Sequence, residues 1–323
     1  MQKKLVIALP TFNRGAYLNE WLKIHANYLF LLGVDIFVFD NASTDNTEHV
    51  VNKWKSKYKN ISYVKNNTNI GAIQNALNPF TIEGYRYIWP MGDSYFASFD
   101  TIKNVINLIK ETPELIVINL QNKIKKNFKD MNVENKIAEL SGVISCYGVL
   151  IYKWEKHIFN EVNKYKKSFF PHLIYMANRA IFKNHSICWS PENSLEVIKL
   201  EERRKNWANG QQVFEIGAKS WVDSINLMPL SSQNKKIAYK KLSEVSGLFG
   251  IKSLVYLRAQ GLMNFSSIGQ YFSPLRKIIG AKLLSAILIS FIPLMILRPV
   301  LLFTNKNIII KFSSSFNKFF RLH

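Results

Sequence analysis

Short apolar runs of strand length recur through the first hundred residues, each followed by residues at helical spacing. This alternation constrains the fold more than any other feature of the chain. Residues 5–9 (LVIAL) read as a buried strand closed by Pro10, and Tyr17, Leu18, Trp21, Leu22 and Ile24 then recur on one helix face. Residues 35–39 (DIFVF) form a second strand, and the polar run Ser43-Thr44-Asp45-Asn46-Thr47 supplies N-cap residues to a helix reaching Trp54. Residues 61–64 (ISYV) predict a third strand, residues 72–77 a helix, and residues 85–89 (YRYIW) a fourth strand. Strand and helix in strict alternation predict an α/β fold: a mainly parallel sheet with helices on both faces.

In such sheets ligands sit at the carboxyl ends of the strands. Each predicted strand runs into polar or glycine-bearing residues there: Pro10-Thr11-Phe12-Asn13-Arg14, then Asp40-Asn41-Ala42-Ser43-Thr44-Asp45, then Asn66 to Gly71, then Pro90-Met91-Gly92-Asp93-Ser94. Any one of these could be ordinary turn chemistry. Four at the same edge of one sheet predict a ligand site.

The spacing of three of these segments resembles the nucleotide-sugar half of family 2 glycosyltransferases. The segments are Pro10-Thr11-Phe12-Asn13-Arg14, then Val38 through Thr47, then Asn69-Ile70-Gly71 with Asn75. Trp89-Pro90-Met91-Gly92-Asp93 further resembles the abequosyltransferase-like branch of O-antigen and capsule enzymes. The resemblance covers residues 1–100 best, weakens to about residue 230 and stops there. It implies a GT-A (Rossmann-like) fold, transfer with inversion, and a nucleotide-sugar donor.

It also implies roles. Thr11, Asn13 and Arg14 would meet the nucleotide, Arg14 offering a fixed positive charge to the diphosphate. Asp40 would accept the uracil N–H, and Asn69 with Gly71 would form a third nucleotide contact. Relatives carry a cluster of Asp at the position of Asp93 to hold Mn²⁺ or Mg²⁺ against the leaving diphosphate. Here Ser94 and Tyr95 follow Asp93, so one carboxylate remains. Three readings stay open at this point: a weakly held ion, an ion completed by a downstream His, or loss of catalysis. Alignment with the family places His172 where a catalytic base is expected, with Glu155 the next candidate. A hydrogen-bonded histidine after a turn is the alternative reading of His172.

Composition bears on the rest of the chain. Hydrophobic residues make up 48% and charged residues 20%, which excludes a mainly disordered chain. The two cysteines, Cys146 and Cys188, predict neither a disulfide framework nor zinc, and the five-residue apolar run near Met1 is too short for an export signal. The net charge of +21 is concentrated late: from Lys235 onward fourteen Lys and Arg face one acid, Glu244. Between those charges lies LLSAILISFIPLMIL, residues 283–297, followed after Arg298 by Pro299 to Phe303. Long aliphatic runs between basic flanks argue for an anionic leaflet and against nucleic acid.

The sequence therefore predicts a GT-A domain over residues 1–230, with a nucleotide-sugar half at 1–95 and an acceptor half at 96–230. Residues 231–323 would form a basic, helical membrane-attachment region, peripheral or monotopic, at the cytoplasmic face of the bacterial membrane. The expected reaction moves a hexose from a UDP-sugar to a lipid-diphosphate-linked oligosaccharide in surface polysaccharide synthesis. The alternative is a non-catalytic scaffold that binds nucleotide sugars.

Overall fold

The computed structural model describes residues 3–183, 185–200, 208 and 210–297. The Arg298–Phe303 stretch lies outside the described residues.

Eight strands and thirteen α-helices are described. The nucleotide half holds β1 (Lys3–Thr11), α1 (Gly15–Leu31), β2 (Asp35–Asp40), α2 (Thr47–Lys55), β3 (Ile61–Lys65), α3 (Ala72–Leu77) and β4 (Tyr85–Pro90). Then come β5 (Tyr95–Ala97), α4 (Phe99–Leu108), β6 (Leu115–Leu120), α5 (Val133–Ile144), β7 (Leu150–Lys153), α6 (Ile158–Asn163), α7 (Pro171–Phe182), β8 (Ile187–Val197) and α8 (Trp221–Asn226). The C-terminal helices are α9 (Ser232–Ser246), α10 (Ile251–Ala259), α11 (Phe265–Gln270), α12 (Phe272–Ile279) and α13 (Leu283–Phe291).

The strands form one sheet in the order β3-β2-β1-β4-β7-β6-β8-β5. β1 pairs in parallel with β2 and β4, and β2 with β3. β7 runs antiparallel between β4 and β6, β6 is parallel to β8, and β5 is antiparallel to β8. The carboxyl ends of β1 to β4 therefore share one edge, as the alternating pattern predicts, and those of β6 and β8 join them.

β1 shows why the strands read as unbroken apolar runs. Leu5, Ile7 and Leu9 enter the large core under α1, while Val6 and Ala8 enter a second cluster with Phe39, Ile82, Tyr85 and Ile88. Successive side chains of a strand point to opposite faces, so a sheet covered on both faces needs an apolar residue at every position.

The helices after residue 230 continue the same core. The Ser231 side chain caps α9 by accepting from Asn234 N, and Gly247 ends the helix in the left-handed region at φ 78°. α9 lies so close to α5 that a Cβ on Gly142 would fall 2.3 Å from the Lys241 carbonyl oxygen. No described helix is long and apolar enough to cross a membrane. α13 covers nine residues and ends at the Ile292-Pro293 break; it buries Leu283, Ala286 and Ile289 and exposes Leu284, Leu288 and Phe291.

Candidate active site

Three loops at the carboxyl edge of the sheet are tied together by side chains standing in for backbone. Asn13, at φ 51°, accepts from Thr44 N (2.8 Å) and Asp45 N (3.3 Å), and its own N–H donates to Ser43 Oγ (2.8 Å). Asp45 in turn accepts from Gly15 N at 3.1 Å. A Cβ on Gly15 would lie 2.0 Å from Asn46 Oδ1 and 3.1 Å from Thr47 N, so a larger residue there would push the Asn46 side chain aside. The β2 and β3 loops are joined by Asn41, whose Nδ2 donates to Asn69 Oδ1 (2.9 Å) and whose Oδ1 accepts from Ile70 N (2.9 Å). Asn69 Oδ1 also accepts from Gly71 N at 2.9 Å, and Gly71 sits at φ +87° facing open space, a backbone that only glycine adopts without strain. Buried Asn75 reaches the carbonyls of Phe39 (3.1 Å) and Thr11 (3.4 Å).

At the centre, Arg14 Nε lies 2.7 Å from Asp93 Oδ1, and Thr11 Oγ1 donates to Asp93 Oδ2 at 2.8 Å. Thr11, Arg14 and Asp93 are all buried. The Arg14 guanidinium carbon is 4.2 Å from the centre of the Tyr17 ring, and its Nη2 is buried without a hydrogen-bond partner. A buried, unsatisfied guanidinium nitrogen costs free energy unless an anion or acceptor meets it.

The side chains expected to hold a metal, meet the nucleobase and take the acceptor proton are placed as follows. Asp93 does not fit a metal site: each carboxylate oxygen is taken, by Arg14 and by Thr11, and Ser94 and Tyr95 bring no second carboxylate. A cation at Oδ1 would compete with a buried guanidinium, and one at Oδ2 with the Thr11 hydroxyl. Asp40 is fully buried. Its Oδ1 accepts from Ser43 N (2.9 Å) and Ser43 Oγ (2.5 Å), and its Oδ2 from Tyr63 Oη (2.5 Å). It anchors the β2 loop, and a nucleobase could reach it only if Tyr63 or Ser43 gave way.

Glu155 does not stand at the edge where the loops meet, and His172 is buried. Trp154 N donates to the Arg86 carbonyl near the start of β4, so Glu155 stands at the amino end of that strand while Asp93 follows its carboxyl end. There it pairs with Arg179 (2.9 Å) and Lys183 (3.0 Å). Burial pushes its pKa up, but Arg179, Lys183 and His185 outweigh this and the net shift is downward. His172 is buried at the start of α7. Its Nε2 lies 3.1 Å from the Ile144 carbonyl, its ring stands edge-on to Tyr147, and burial lowers its pKa to about 4. It is a neutral core side chain.

Among the described residues one cluster brings three metal-type ligands together, Glu114, Glu155 and His185. Arg179 and Lys153 also hold Glu114, so the cluster is a charge-compensated network at the amino end of β4. Sequence reasoning missed Tyr63 and Asn41 as site-builders. The available signal was a hydroxyl-tipped aromatic on β3 beside a strand ending in a buried Asp.

The comparisons agree with this architecture. Residues 6–186 match the family described as Glycosyl transferase family 2. Abequosyltransferase RfbV of Salmonella typhimurium is 34% identical over 96 residues, which is 29% of this chain and 29% of that protein. Among solved structures, Staphylococcus aureus TarS 1-349 in complex with UDP-GlcNAc superposes at a TM-score of 0.55 and 16% identity, covering 98% of this chain and 91% of that one. The mannosyltransferase PcManGT from Pyrobaculum calidifontis, in complex with GDP-Man and Mn²⁺, gives 0.51 and 13%, covering 95% and 89%. At these identities the two structures speak for the fold alone, and the family match extends over more than half the chain. With a GT-A-like sheet and that match, the chain belongs to the family 2 glycosyltransferases.

Proposed function

We propose that the protein transfers a hexose from a UDP-sugar, with inversion, to a lipid-diphosphate-linked oligosaccharide at the cytoplasmic leaflet during surface polysaccharide synthesis. The observation that carries this reading is the buried Thr11–Asp93–Arg14 group at the carboxyl edge of the sheet, with Arg14 Nη2 unpartnered. The likeness to RfbV, an abequosyltransferase, supports the polysaccharide assignment. The uridine donor is what the sequence resemblance implies, and TarS, at 16% identity, speaks for the fold alone.

In this reading Asp93 is a positioning residue. It holds Arg14 by Nε, which leaves the outer nitrogen for the donor diphosphate. Charge develops on that diphosphate as the glycosidic bond breaks. A fixed guanidinium within a desolvated site stabilises such charge without reorganising at the moment of reaction. Asn69 and Gly71 offer an amide and an open backbone edge to the nucleoside. Because the donor set at Asp93 does not fit a divalent ion, no step is assigned to one.

The second reading, a non-catalytic nucleotide-sugar-binding scaffold, is favoured by the burial of His172 and by the placement of Glu155 at the amino end of β4. UDP release from a panel of UDP-sugars by detergent-solubilised protein separates the two. Turnover that disappears in Arg14→Ala supports the transferase. UDP binding without turnover on a lipid-linked acceptor supports the scaffold, and no UDP binding defeats both.

A further inference from the structure

The groove between α9 and α12 carries charge that the reaction does not use. It is a cavity of about 670 Å³ lined by Lys235, Lys236, Lys240, Arg276 and Lys277, with Tyr239 and Phe272 among the other lining residues and no acid. Lysines elsewhere on the surface behave differently: Lys65 pairs with Glu48, Lys164 with Glu161, and Lys219 with Glu215 and Asp223. Even Lys241, the next residue on α9, is held by both Glu139 and Glu244. None of the five groove cations has an acidic partner among the described residues. Lys235 Nζ donates to the Asn226 carbonyl, and Lys277 Nζ sits 5.3 Å over the Tyr239 ring. Five like charges converging without counter-charge repel one another, and a bound anion removes that cost.

The apolar surroundings indicate which anion. Phe272 lines the groove and is itself exposed. α13 packs against α10, α11 and α12. It exposes Leu284, Leu288 and Phe291, and the Phe291 ring meets exposed Phe265 of α11 at 5.2 Å. A soluble phosphate has no use for an apolar rim, whereas a headgroup attached to acyl chains does.

We infer that the α9–α12 groove is a binding site for the phosphate headgroup of an anionic membrane lipid. This rests on the reading that the acceptor is held at an anionic leaflet, and it names the site that docks the enzyme there. The test is co-sedimentation of the full-length protein with phosphatidylcholine vesicles, with and without phosphatidylglycerol, in the absence of any sugar donor. A Lys236→Gln/Lys240→Gln/Arg276→Gln variant should bind the anionic vesicles about a hundredfold more weakly, at about fivefold per cation removed. All three side chains are exposed, so folding should be preserved.

The control removes three exposed lysines elsewhere, Lys53→Gln/Lys103→Gln/Lys110→Gln. An equal loss in the control would mean a diffuse field of net charge and would overturn the site. Unchanged binding by the groove variant would also overturn it, as would competition by inorganic phosphate alone as effective as by vesicles. Failure of the transferase reading would show separately, as missing UDP release with vesicle binding intact.

Discussion

Arg14 and Asp93, 79 positions apart in the chain, meet as a buried ion pair at 2.7 Å that joins the loop after β1 to the loop after β4. The pair holds a guanidinium with one nitrogen still unsatisfied at the carboxyl edge of the sheet. Removing one member leaves the other charged and desolvated. Asp93→Ala should therefore destabilise the protein by about 3–5 kcal/mol in chemical denaturation. Arg14→Lys keeps the charge but loses the planar fork that serves Asp93 and an anion together. It should cost about a hundredfold in kcat/KM for UDP release while changing stability much less.

The engaged carboxylate of Asp93 bears on metal dependence. UDP release should proceed equally in EDTA and in Mn²⁺, and Asp93→Asn should not change the response to either. A steep requirement for Mn²⁺ would mean that donor binding rearranges Arg14 away from Asp93.

Gly142 is a packing requirement. A Cβ there would lie 2.3 Å from the Lys241 carbonyl oxygen and 2.9 Å from Val245 Cγ2, both on α9. Backbone cannot give way as a side-chain tip can. Gly142→Ala should cost about 1–3 kcal/mol, seen as a lower Tm, with UDP affinity of the folded protein retained.

His172 makes a pH prediction. Burial lowers its pKa from 6.5 to about 4, so the folded state resists the proton that the unfolded chain accepts. Its contribution to stability is complete above about pH 6.5 and is lost as the pH falls toward 4. The span corresponds to about 3 kcal/mol. Denaturation of His172→Gln across this range should show a flatter pH dependence than wild type. Turnover at neutral pH should stay within a few-fold. Loss of a hundredfold or more in kcat with the fold intact would restore His172 as the catalytic base.

Glu155 should likewise act on stability. It helps hold Arg179, which is almost fully buried between Glu114 and Glu155. Glu155→Gln should lower the Tm and leave kcat for UDP release unchanged once the protein is folded.

By itself the sequence determined the strands β1 to β4, the helix at 72–77, and the edge of the sheet where the polar loops gather. These follow from local physics: apolar periodicity, turn residues and caps act within a few positions of one another. It also placed Thr11, Arg14 and Asp93 at that edge. Only the tertiary structure decided what those groups do. Whether a carboxylate faces a cation, a hydroxyl or solvent depends on neighbours 79 and 82 positions away, and no local pattern encodes that distance. The antiparallel course of β7 was equally invisible, and it is what carries Glu155 to the far end of the sheet. His172 lies beside a turn in the sequence and inside the core in three dimensions, because α5 and α7 close over it. Desolvation by that packing, rather than residue type, made it a neutral core side chain.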